Sequence, residues 1–254
     1  MAHVDPRLKA FGRLLDIMDD LREKCPWDRE QTLESIRHLT IEETYELSDA
    51  ILEDDKPEIA KELGDLMLHI VFYSKIGSET NDFDITTVLN GICEKLIRRH
   101  PHIYGDVNAE DAETVKRNWE QIKQAESKGV KSVLSGVPNS MPSLVKAMRM
   151  QDKAAQVGFD WPNKELVWDK VEEELQEYKE ATGKEKPGEF GDLLFSLVNY
   201  ARWQDINPDD ALELTNKKFK QRFEAIESHA KKLDIQLESM SLEEMEAVWQ
   251  NAKG

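Results

Sequence analysis

The chain has 254 residues, enough for one large or two ordinary domains with cores of their own, and 51 acidic against 34 basic side chains give a formal charge of −17. That field repels DNA, RNA and anionic lipid and so excludes polyanionic partners, but it leaves open a small phosphorylated ligand bridged by divalent cations. Cys25 and Cys93 form no disulfide framework or thiolate zinc pattern, and no apolar run nears the roughly 18 to 20 residues that span a bilayer. With no apolar segment in the opening MAHVDPRLKA, the expectation is a cytoplasmic, non-secreted chain.

Glu, Lys, Ala, Leu and Gln dominate, and apolar residues recur at three- and four-residue steps, so the expected class is all-α. The first helix is expected over about Asp5 to Lys24, ended by the Cys25-Pro26-Trp27-Asp28 break. A second runs from about Thr32 to Leu52, a third from Glu58 to Ile76, and a fourth, capped by Asp84, to His100 before Pro101. Another covers about Glu110 to Lys128. The glycine-, proline- and serine-rich stretch 129–142 then separates an amino-terminal unit, 1–128, from a carboxy-terminal one, 143–254. Helices are expected over Ser143 to Val157, Lys164 to Ala181, Gly188 to Gln204, Pro208 to Leu233 and Ser241 to Lys253. Asn207 caps the fourth of these, and Ser241 with Glu244 makes a capping box.

The two units are copies of one another. Glu62 to Tyr73 aligns with Glu189 to Tyr200 at six of twelve identical positions. Upstream, Glu42 to Glu46 answers to Glu173 to Glu177, and Trp27 to Trp161; downstream, Lys95 and Arg99 answer to Lys218 and Arg222, and Trp119 and Lys123 to Trp249 and Lys253.

Each copy carries ExxE on one helix, Glu43/Glu46 or Glu174/Glu177, and ExxD on the next, Glu62/Asp65 or Glu189/Asp192. Three-residue spacing puts each pair on one face, and a short turn makes the helices an antiparallel hairpin, so four carboxylates are expected to converge. Two like charges at about 4 Å repel by roughly 4 kcal/mol at an effective dielectric near 20, a cost that a hard cation removes. Oxygen-only ligation selects Mg²⁺, with Mn²⁺ as a substitute, and suits phosphoryl chemistry. A single ExxE usually marks a solvated face. Recurrence of all four acids, together with the mid-helix glycines Gly64 and Gly191, favours a site and points to close packing or ligand approach at those glycines. Lys95/Arg99 and Lys218/Arg222 are candidate phosphate clamps, and Trp119 and Trp249 are secondary candidates, more often core anchors. No Walker A, GxSxG, HExxH or GxGxxG pattern offers other chemistry.

With these motifs, and with Cys25 to Thr32, Arg98 to His102, Gly158 to Trp161 and Phe219 with Arg222-Phe223, the sequence resembles the MazG family of nucleoside triphosphate pyrophosphohydrolases, within the all-α NTP pyrophosphatase superfamily. The resemblance implies two tandem MazG-like helical bundles. It implies hydrolysis of NTP to NMP and pyrophosphate, with Mg²⁺ held by Glu43, Glu46, Glu62 and Asp65 in one copy and by Glu174, Glu177, Glu189 and Asp192 in the other. It further implies substrate binding by Lys218, Arg222, Trp249 and Lys253, with Lys95, Arg99, Trp119 and Lys123 in the matching places. Broad nucleotide acceptance, a house-cleaning role in the nucleotide pool, and a homodimer in which helices of two chains complete one bundle follow from the same likeness. The acidic helices are closer in sequence in the second copy, Glu177 and Glu189 being twelve positions apart against sixteen for Glu46 and Glu62. A non-catalytic helical scaffold and a nucleotide sensor are the alternatives.

Overall fold

The computed structural model describes residues 5–253 except positions 107–110, 112–113, 116–117, 120–121, 123–125 and 127–131. The chain divides into two compact units, Met1–Ser127 and Lys128–Gly254. Among the described residues every regular element is helical.

In the first unit α1 (Pro6–Lys24) starts at Asp5, whose carboxylate accepts the Arg7 N–H at 2.9 Å, with proline in the first turn where its missing N–H is not needed. The expected break after it contains a helical turn of its own, α2 (Pro26–Glu30), again opened by proline. The next helix starts later than expected, as α3 (Arg37–Leu52). The reason is local: Thr32 and Ser35 bond each other's backbone N–H through their hydroxyls, at 2.8 and 3.2 Å, and hold that stretch as a turn. Asp54, in the left-handed region, reverses the chain into α4 (Lys56–Glu79), capped by Asp55. This helix runs past the expected stop at Gly77-Ser78, and Gly77 packs against the Phe83 ring so closely that a Cβ there would lie 2.7 Å from it. Helices α5 (Ile85–Arg99), capped by Asp84, and α6 (Pro101–Tyr104) follow. The helix expected over Glu110 to Lys128 falls largely outside the described residues.

The core of this unit is Met18 of α1, Ile36, and Val71 and Phe72 of α4, with Leu14, Leu15, Leu39 and Leu68 packed around them. Arg22 ties its parts together. Its guanidinium donates to Glu79 at 2.9 and 2.6 Å and to the carbonyls of Asp28 and, at 3.2 Å, Gln31, while lying 5.6 Å from the Phe72 ring centre. One side chain thereby holds α1, the end of α2 and the end of α4.

In the second unit a 3₁₀ turn at Val133–Gly136, inside the stretch expected as linker, lies against α7 (Ser143–Ala155), where Lys153 Nζ donates to the Val133 carbonyl at 3.3 Å. Then come α8 (Lys164–Glu180), α9 (Lys186–Trp203), α10 (Pro208–Leu233) and α11 (Leu242–Asn251). Asn163 and Asn207 cap α8 and α10 through the N–H groups of Leu166 and Asp209, both at 3.0 Å, and Ser241 and Glu244 form the capping box of α11. Helices α8 and α9 make the hairpin that α3 and α4 make in the first copy, with Val167 and Val171 facing inward from one and Leu193 and Val198 from the other. Ile226, Ala230 and Met240 form a second small core against Val248 and Trp249.

Replacing Arg22 by alanine removes the donor of the Gln31 carbonyl and of the Glu79 carboxylate and leaves the Asp28 carbonyl only the Gln31 N–H. The expected result is a loss of roughly 2 to 4 kcal/mol in urea unfolding, against less than about 1 kcal/mol for the exposed-pair control Lys24→Ala; equal losses would show that Arg22 does not clamp the unit.

Candidate functional site

In each hairpin the acids gather where its own two helices meet. In the first, carboxylate oxygens of Glu43 on α3 and Glu62 and Asp65 on α4 all lie within 4.8 Å of one another. In the second, Glu174 and Glu177 on α8 and Glu189 on α9 do the same. Each hairpin therefore gathers three of its four motif acids, and not the same three. Glu46 and Asp192 are exposed and stand outside the groups among the described residues.

Burial differs sharply within each group. Glu62 is 1% exposed, and its Oε2 has no hydrogen-bond partner, while its Oε1 accepts from Lys61 Nζ at 2.7 Å. Glu174 is likewise buried and accepts from Lys170 at 2.7 Å. The Lys61 contact pulls the Glu62 carboxyl below its ordinary value. Burial, reinforced by the charges of Asp65, Glu46 and Glu62, pushes the Glu43 carboxyl above its own. Glu177 is raised in the same way, by desolvation first and Glu174 next. A carboxyl held high by neighbouring carboxylates is poised to accept a proton or a cation.

Gly64 and Gly191 depart from the close packing that their place in the helix suggested. A Cβ built at either meets nothing within 4 Å. Both faces are open beside the acids, which leaves approach by a ligand or a second chain as the remaining explanation.

The candidate clamps are arranged alike in the two units. Arg99 lies 5.4 Å from the ring centre of Trp119, and Arg222 5.4 Å from that of Trp249. Trp249 also meets Phe219 edge-on at 5.1 Å and seals the small core, so it is an anchor that also backs the arginine. The environments then diverge. Arg98 and Arg99 both bind Glu126, at 2.5 Å each, which lowers that carboxyl to about 2. Arg222 has no carboxylate partner among the described residues. Lys95 is half-buried, Lys218 is exposed on α10, Lys253 is exposed beyond the end of α11, and Lys123 lies outside the described residues.

Lys61 and Lys170 escaped the sequence reading. Lys170 carried a legible signal, four residues before Glu174 on one helix face; Lys61 did not, because it is merely adjacent to Glu62 and only the bend of its long side chain brings the charges together.

A family model described as the MazG nucleotide pyrophosphohydrolase domain matches residues 31–104, which hold the first acidic hairpin. The nucleoside triphosphate pyrophosphohydrolase/pyrophosphatase MazG of Thermotoga maritima is 43% identical over 248 residues, covering 96% of each chain. A nucleoside triphosphate pyrophosphohydrolase of Escherichia coli K12 is 40% identical over 257 residues, 97% of this chain and 98% of that one. The uncharacterized protein YabN of Bacillus subtilis is 44% identical over 252 residues, which are 96% of this chain and 51% of YabN.

A carboxyl whose value is raised in the folded state favours folding below its unfolded value and loses that contribution as pH rises through the raised one. In chelator-treated protein the melting temperature is therefore expected to gain from Glu43→Gln near neutrality and not in acid, where Glu43 is already protonated. Parallel pH profiles for wild type and variant would contradict the crowding of Glu43.

Proposed function

The chain belongs to the MazG nucleotide pyrophosphohydrolase family, and we propose that it hydrolyses nucleoside triphosphates to the monophosphate and pyrophosphate at the acidic hairpins. The observation that carries this reading is the gathering of three motif acids within 4.8 Å in each of two copies. Clustering of this kind is unfavourable in itself and is relieved by a divalent cation.

The residues fit Mg²⁺. Donors are oxygens only, and the orphaned Oε2 of Glu62 is a buried anionic atom still lacking a partner. Glu43, Glu62 and Asp65, with Glu46 one turn away, would hold the ion in the first unit; Glu174, Glu177 and Glu189, with Asp192, would hold it in the second. Bound there, Mg²⁺ or Mn²⁺ supplies charge neutralisation and Lewis-acid polarisation of the phosphate oxygens. The chain's own groups do the rest. A carboxylate of each hairpin accepts the proton of the water that attacks the α-phosphorus. Arg222, with Lys218 and Lys253, binds the leaving phosphates in the second unit. Lys95 and Arg99 hold the matching places in the first, where Glu126 competes for the arginine. That competition supports giving the second unit the larger share of turnover.

A homodimer is part of the proposal. Among the described residues α5 buries none of its side chains and exposes Val88, Leu89, Ile92 and Leu96, while α10 exposes Leu212, Leu214, Phe219 and Phe223. Exposed apolar side chains grouped along one helix mark a surface for another chain. A role in clearing nucleotides from the cytoplasmic pool, with broad base acceptance, completes the reading. No described helix is long and apolar enough to cross a membrane.

Incubation of the whole protein with each common NTP and Mg²⁺ is expected to release pyrophosphate and NMP, with Glu177→Ala lowering kcat by roughly a hundredfold or more and Glu46→Ala having a smaller effect. Orthophosphate as first product would overturn the reaction, and turnover untouched by either substitution would overturn the site.

A further inference from the structure

The first unit holds a cationic cluster beyond the acidic hairpin. Arg98 and Arg99 at the end of α5, His100 at its cap and His102 on α6 follow one another within five positions. Trp119 joins them: Arg99 lies over its ring, His100 meets that ring at 4.8 Å in a T-shaped contact, and His102 lies 5.6 Å from His100. The second copy keeps only part of this set. Arg222 and Trp249 answer to Arg99 and Trp119, but Gln221, Phe223 and Ala225 stand where the first copy has Arg98, His100 and His102. Three side chains able to carry positive charge are therefore particular to the first unit, and they lie beside the arginine that the two copies share.

Glu126 bridges the two arginines. Its Oε1 accepts from Arg98 Nε at 2.5 Å, and its Oε2 accepts from Arg99 Nη2 at 2.5 Å and from Arg99 Nε at 3.1 Å. An anion held across paired guanidinium groups by charge-assisted bonds is the arrangement that a phosphoryl group also takes up on arginine. Arg222 carries no such carboxylate among the described residues. The clamp can also hold more than it does: two guanidinium groups bring more charge and more N–H donors than one carboxylate uses, and His102 Nδ1 is buried with no hydrogen-bond partner. A buried ring nitrogen left unmet is unfavourable and calls for a partner.

Two further points narrow the occupant. Arg99 first and Arg98 next hold the Glu126 carboxyl down at about 2, so what frees the clamp near neutrality is a competing anion and not a proton. Trp119 has Arg99 over its ring and His100 against it, so it backs the arginine and does not offer a stacking platform to a base. What remains is a site that reads charge and oxygens.

Resting on the pyrophosphohydrolase reading for the chemistry of the ligand, we propose that Arg98, Arg99 and His102 form a phosphate-chain site in the first unit. Glu126 occupies that site in the ligand's place, and a di- or triphosphate binds there by displacing it. Free pyrophosphate and the phosphate chain of a nucleotide are the two sources of that chemistry, and the first unit is closed to both while Glu126 stays in place.

The test is calorimetry on the whole chain carrying Lys218→Ala and Arg222→Ala, which silence the second clamp. Ionic strength is fixed and a chelator is present, so that no cation bridges the probe to the acidic hairpins. Inorganic pyrophosphate and α,β-methylene-ATP are titrated into this background and into the same background with Glu126→Ala or Glu126→Gln. Both probes are expected to bind roughly ten- to a hundredfold more tightly once the Glu126 charge is gone, and adding Arg98→Ala to Glu126→Gln is expected to cancel that gain. Glu126→Gln keeps the side chain's size, so the measurement stands even where circular dichroism melts show the alanine variant unfolded. A gain confined to pyrophosphate would support the site with the free anion as its ligand. Unchanged affinity for both probes, a gain that survives Arg98→Ala, or a gain confined to the nucleotide would overturn it. Turnover of NTPs by the wild-type chain is measured alongside. Release of pyrophosphate with no gain on losing Glu126 would overturn the displacement and leave the reaction standing, whereas the gain without any turnover would support the site and count against the pyrophosphohydrolase reading.

Discussion

Like charge brought together on purpose is the constraint from which the rest of the molecule follows. Two antiparallel helices joined by a short turn place three carboxylates within 4.8 Å, twice, in a chain already carrying −17. Carboxylates this close repel one another, so the hairpins must be held by something stronger. That support lies behind them: Val71 and Phe72 with Met18 and Ile36 in one copy, Val167, Val171 and Val198 in the other, and Arg22 stitching three segments in the first. Lys61 and Lys170, each paired with the buried acid of its group, offset part of the charge.

Duplication has let the two copies drift under that shared constraint. Glu126 takes up the arginine pair of the first unit, whereas Arg222 stays available in the second. Phe72 packs the first unit's interior where the second has Asn199. Both differences point the same way, with the first copy tying these positions into internal contacts that the second does not make.

Much of this was legible in the sequence, for a physical reason: helical periodicity, capping residues and a repeated acid pattern are local signals. Asp84, Asn207 and the Ser241–Glu244 box cap helices where their spacing places them. The stops were harder. Proline after Cys25 opens a helix as readily as it ends one, and Gly77 continues α4 because Phe83, six residues on, packs over it. Which three of four acids converge was beyond reach, since Glu46 and Asp192 share the three-residue spacing of the acids that do converge. The pairing of Arg98 and Arg99 with Glu126 was equally hidden, since the partners stand 28 and 27 positions apart and meet only in the fold.

The account stands on cations at the two acidic hairpins. Crystals of the whole protein grown with Mn²⁺ and measured at the manganese absorption edge test it most directly. Anomalous peaks are expected beside Glu43, Glu62 and Asp65 and beside Glu174, Glu177 and Glu189; acids of both hairpins turned toward bulk water, with no peak at either, would contradict it.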